Sequence, residues 1–192
     1  MQQNTPDKDT FDAKLPDLGS ATPQTDSSWG PFTDTEWKTL VAAPVKVGRA
    51  MIAVAPSGGI GMAKEVSALR KGLTEAIQQS NNPMIKQLGL RAHAEGGMES
   101  LWKNVGQAFG DRWDAENVRK TAIATCQETA TILKKASPQD AQAYKECLYS
   151  AAQKVSEASK EGGFVGIGGE RISEAETSLL KDVAQTLNIQ RT

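Results

Sequence analysis

Apolar side chains recur along most of this chain at alternating steps of three and four, the spacing of a helix that buries one face. The first such run takes in Trp37, Leu40, Pro44, Val47, Met51 and Val54. Its start is marked twice. Thr33 and Glu36 have capping-box spacing, and Phe32 and Trp37 stand where a hydrophobic staple closes over the first turn. Pro44 interrupts the run: it lacks an amide donor and its ring meets the carbonyl four residues back, which costs about 3 kcal/mol in a regular helix. A kink or break is therefore expected around residues 40–44. The run ends in Ala55-Pro56-Ser57-Gly58-Gly59-Ile60-Gly61, which reads as a loop.

A second helix carries the stripe Met62, Val66, Leu69, Leu73 and Ala76. Asn82 before Pro83 makes an N-cap and first-turn pair for a third. That helix turns Met84, Ile85, Leu88 and Ala92 inward and ends at Gly96-Gly97. A short fourth holds Met98, Leu101, Trp102, Val105 and Phe109, with Gly110 suited to the position after its C-terminus. The fifth runs from about Asp114 to Ala136, with Val118, Ala122, Cys126, Thr129 and Leu133 inward. Ser137-Pro138 restarts the chain. The sixth has the most regular seam, through Ala141, Tyr144, Leu148, Ala151, Val155 and Ala158, and closes at Gly162-Gly163. Ser173 and Glu176 form a second capping box that opens a last helix through Leu179, Leu180, Val183 and Leu187.

The predicted fold is all-α: a bundle of six or seven amphipathic helices in one domain, residues 32–192. Short connections after residues 79, 97 and 137 favour antiparallel neighbours. Residues 1–31 are rich in Pro, Ser, Thr, Gln and Asp and hold few large apolar groups. They bury too little surface to offset ordering entropy, so they read as a disordered or loosely docked tail. Trp29 and Phe32 are its expected anchors, and a short partner-binding peptide within it is the alternative. Two helical hairpins, 34–79 and 138–188, suggest a pseudo-repeat. With a shift of 108, Leu40, Lys46, Val47 and Ala50 fall on Leu148, Lys154, Val155 and Ala158. Duplication and the general likeness of amphipathic helices explain this equally well.

Charge narrows the function classes. The 22 Lys and Arg nearly balance 23 Asp and Glu, without the basic excess of an electrostatic nucleic-acid footprint. Aromatic residues make up only 5%, which favours closely packed helices over a β-sandwich. The first residues have neither a cationic stretch nor an apolar one, so no secretory signal is read, and no apolar run has the length of a membrane span. The chain reads as cytoplasmic, with its two cysteines reduced by default.

The glycine-rich segments Gly58-Gly59-Ile60-Gly61 and Gly163-Phe164-Val165-Gly166-Ile167-Gly168-Gly169 resemble phosphate-cradling loops, since each precedes a helix N-terminus. No Lys-Ser/Thr follows and no strand precedes them. Helix caps and tight turns are the better reading, with anion capture by Ser57 and Arg171 as the alternative. The apolar tip Phe164, Val165 and Ile167 either folds back on the core or meets a partner. Trp113, in a polar link, is the tryptophan most expected at the surface. Cys126 and Cys147 lie 11 and 10 residues either side of Ser137. A hairpin there brings them to one height, as a redox pair or as two buried thiols.

His93 is the only histidine and no Glu-x-x-His occurs, so no metal or cofactor is expected. His93 with Glu95 reads as a solvated helix end, and Glu65, Glu128 and Glu176 as polar helix faces. A catalytic base would have to be His93, Glu65 or Glu146, and no nucleophile spacing selects one.

The C-terminal stretch with Lys-Glu-Gly-Gly-Phe-x-Gly-x-Gly-Gly, then Ile-Ser-x-x-Glu and an amphipathic helix, resembles the ending of an uncharacterised family of small helical bacterial proteins. It covers roughly 45 residues and implies a helical hairpin, with no activity or ligand to carry over. The function expected is a non-catalytic interaction or scaffold protein with a protein partner or self-association. The alternatives are a carrier of a small apolar ligand near Trp37, Trp102 and the glycine loops, or an enzyme with an unreadable site.

Overall fold

A computed structural model of the chain describes residues 30–56, 58–109, 114–160 and 173–189. Seven α-helices carry these residues: α1 (Asp34–Val54), α2 (Gly58–Gln79), α3 (Pro83–Ala94), α4 (Gly97–Phe109), α5 (Ala115–Ile132), α6 (Pro138–Lys160) and α7 (Glu174–Leu187). A single 3-10 turn, Leu133–Lys135, extends α5. The all-α expectation holds, and there is no strand among the described residues.

The helix starts follow their sequence signals. The Thr33 hydroxyl accepts the Glu36 amide at 3.3 Å while the Glu36 carboxylate accepts the Thr33 amide at 2.9 Å, so both halves of the box are made. Phe32 meets Trp37 edge-on at 5.3 Å, closing the staple. Ser173 and Glu176 repeat the box on α7. The Asn82 side chain accepts the amides of Met84 and Ile85, and the Ser137 hydroxyl accepts the Asp140 amide. Each bond occupies an amide that a helix leaves without a partner in its first turn. Gly96 and Gly97, at φ +87° and +70°, turn the chain from α3 into α4.

The bundle is built around α1, which packs on all six other helices. Twelve of its 21 residues are buried, too many for a single stripe, and they include Pro44 and Gly48. Of the kink or break expected at residues 40–44, the break does not occur: α1 runs as one helix through Pro44. The reason lies more than a hundred residues away. Proline leaves the carbonyl of residue 40 without its usual amide, and the Tyr144 hydroxyl of α6 donates to that carbonyl at 2.5 Å in a fully buried position.

The first glycine loop also differs from expectation. Pro56 follows the end of α1, and Gly58–Gly61 form the first turn of α2 instead of capping α1. Gly61 is buried there. The buried side of α2 runs through Gly61, Glu65, Leu69, Gly72 and Leu73, which leaves Met62 47% exposed and Val66 half-buried. Backbone approach sets this face. A Cβ on Gly72 would lie 3.0 Å from Lys154 Cγ and 4.0 Å from the Ala151 backbone on α6. Small residues let α2 settle closely on α6, its most extensive neighbour, and that outweighs burying Met62. Glu65 is consequently fully buried, not part of a polar face, and Glu176 is buried within its cap.

All five inward positions read for α5 are buried, as are the four of α7. α5 and α6 are not close antiparallel neighbours despite their two-residue link: α1 packs extensively on both. Glu36 binds Lys135 and Thr39 binds Glu128 along α1 and α5. Arg119 of α5 pairs with Asp182 and Ser178 of α7. The two proposed hairpins pack unequally, since α2 lies broadly on α6 while α1 touches α7 only lightly.

Candidate functional site

The residues singled out as a partner or ligand surface, Phe164, Val165, Ile167, Arg171, Ser57 and Trp113, lie outside the described residues, as do Trp29 and Gly110. His93 and Glu95 are exposed at the end of α3. Trp102 is half-buried, with the Arg49 guanidinium 4.5 Å from its ring and donating to its carbonyl at 2.9 Å. No group of three potential metal-binding side chains exists among the described residues.

Cys126 and Cys147 are free, buried thiols, both near enough to Tyr144 to act on its phenol. Burial pushes both up from the ordinary 9.0 to about 12. The Tyr144 phenol is held well above its usual value by burial first, then by Cys147 and Cys126. A thiol that ionises less readily in the folded chain stabilises it fully below the unfolded value. That contribution is lost as pH rises from 9.0 toward 12. Denaturation midpoints should therefore fall with increasing pH above that lower value, and fall less in Cys126→Ala. At neutral pH iodoacetamide should modify neither thiol before unfolding, read by intact mass.

A more promising arrangement surrounds Trp37, where the N-termini of α1 and α3 meet the α5–α6 turn. Trp37 is 3% exposed because it projects from the first turn of α1 between these elements. Phe32 covers one edge, and the Arg91 guanidinium of α3 sits 4.8 Å from the ring centroid while pairing with Asp34 at 3.5 Å. Polar side chains tie the rim together. The Asn82 amide donates to Asp140 Oδ1 at 2.8 Å, and the Ser137 hydroxyl donates to Oδ2 at 2.7 Å. Lys135 lies 2.6 Å from Glu36; that bond and the Thr33 amide hold the Glu36 carboxyl below its usual range.

Inside this rim is a cavity of about 160 Å³, open on one side, walled by Phe32, Trp37, Met84, Gln87, Ala136 and Asp140. A second, of about 210 Å³, lies where Trp37 meets Lys38, Val41 and Arg91. Gln87 is 4% exposed, and its Nε2 is buried with no hydrogen-bond partner. A buried amide left unmade costs on the order of 1–3 kcal/mol, and such groups in folded proteins are normally satisfied. Phe32, Trp37, Met84 and Ala136 give the first cavity its apolar walls, beside the polar Gln87, Ser137 and Asp140. Sequence reading placed Trp37 in a core stripe and passed over Gln87. Its only signal was a position three residues after Met84, on the buried side of α3.

Comparison with models of known protein families, with curated proteins and with solved structures found no match.

Proposed function

We propose that this chain is a non-catalytic interaction protein that receives one apolar side chain of a protein segment in the cavity beside Trp37. The observation that carries this reading is the cavity of about 160 Å³ at the Trp37 end, walled by Phe32, Trp37, Met84 and Ala136 with Gln87, Ser137 and Asp140 beside them. Size favours a side chain over a whole small molecule. Pockets for drug-sized ligands run to roughly 300 Å³ or more, whereas a cavity of about 150 Å³ holds a single benzene. The segment's side chain would seat against Phe32, Trp37 and Met84, in the manner of an anchor residue with a few fixed polar contacts at the rim.

A photo-crosslinking residue at Pro83, exposed on the cavity rim, tests this in cells of the source organism. The expected result is an intermolecular adduct with a defined protein, or with a second copy, that is absent when the crosslinker sits at exposed Lys120 near the other end of α5. Gln87→Glu, which replaces the donor by an acceptor, should abolish it. The reading is overturned if Pro83 gives no intermolecular adduct, or the same adducts as Lys120.

A further inference from the structure

The cavity beside Trp37 lies where the N-terminal segment joins the bundle. Gly30 and Pro31 border it, and Phe32 forms part of its wall. The direction of entry is fixed there, because Phe32 is stapled to Trp37 and Thr33 is locked in its capping box. Gly30, at φ +90°, gives the chain a turn that other residues rarely adopt. Residue 29 is one peptide unit from the cavity border, and it is a tryptophan.

From these observations we infer that the cavity's resident occupant is the Trp29 indole, carried by the chain's own N-terminal segment, residues 1–29. This rests on the reading of the cavity as a side-chain site and identifies what fills it before a partner arrives. The volume accommodates one aromatic side chain. Tethering one residue from the border raises the effective concentration to the millimolar range or above, so the linked indole outcompetes a free group of equal affinity. Residues 1–29 hold five aspartates against two lysines, which leaves a basic excess on the rest of the chain. Lys38 and Arg91 border the adjoining cavity beside Trp37, together with Asp34 and Glu95. A partner therefore binds by displacing Trp29.

The test uses the full chain labelled with fluorotryptophan, its four fluorine resonances assigned by single Trp→Phe variants. In the isolated protein the Trp29 resonance should resist broadening by a soluble gadolinium chelate as Trp37 does. In Trp29→Ala the Trp37 resonance should shift and gain solvent broadening as its cavity empties. A Trp29 resonance broadened like free indole overturns the inference. So does a protected Trp29 whose removal leaves Trp37 unmoved, since the indole would then be buried elsewhere. Failure here leaves the Pro83 adducts intact, whereas protection of Trp29 without any intermolecular adduct would sink the interaction reading alone.

Discussion

Gly48→Val is expected to cost about 3 kcal/mol, the upper end for overpacking a filled core. A Cβ on Gly48 would stand 2.4 Å from Leu69 Cδ1 and 2.6 Å from Cδ2. Leu69 is fully buried, so its neighbours hold its rotamer and it has little room to withdraw. Two further methyl groups enlarge the clash, and replacing glycine improves helix propensity by less than about 1 kcal/mol. Urea denaturation of the single and double variants should show that Leu69→Ala relieves part of the damage. An interaction of at least about 1 kcal/mol in the cycle is expected. Purely additive costs would mean that α1 and α2 do not meet as closely as described.

The second large effect concerns the bond between helices α1 and α6. Tyr144→Phe removes the side-chain donor at the Leu40 carbonyl and should destabilise the protein by about 1–3 kcal/mol, the cost of an unsatisfied buried polar group. In that background Pro44→Ala should restore much of the loss, because an alanine amide reaches the same carbonyl from within the helix. Each 1 kcal/mol should move the thermal midpoint by roughly 2–4 °C in a chain of this size. If Pro44→Ala helps equally with Tyr144 present and absent, the hydroxyl is not what makes proline tolerable in α1.

These two contacts also explain what was legible in the sequence. Local signals were read correctly: the Thr33 and Ser173 boxes, the Asn82-Pro83 and Ser137-Pro138 starts, and the inward positions of α5. Each depends on residues within one or two turns. The misreadings came where a distant partner decides the outcome. A kink or break is the local expectation at Pro44, and the helix continues there because Tyr144, the donor that meets the Leu40 carbonyl, lies on α6. The α2 stripe was read through Met62 and Val66 because size was weighed above closeness, and Gly72 against Ala151 reversed that order. Gly58–Gly61 looked like a cap because flexibility was assumed to end a helix, although a first turn needs no side chains for its backbone bonds.

The candidate site was less legible than the fold. Trp37 and Phe32 were visible as a staple, but nothing local distinguishes Gln87 from an exposed glutamine. Its burial arises only when α3 seats against α1 and the α5–α6 turn, so the unpartnered amide is a tertiary property. Counting outward from Ser137 gives Cys126 and Cys147 a common height only in a direct α5–α6 hairpin, and those two helices are not close neighbours.

The central place of α1 has a consequence for synthesis. It emerges first among the described helices, with twelve residues whose burial depends on partners still to be translated. The carbonyl at Leu40 waits for a hydroxyl 104 residues later. An all-helical protein usually folds from local contacts, but here the earliest helix is completed by some of the last. On the ribosome α1 therefore remains an apolar segment without its full cover until α5 and α6 have left the exit tunnel.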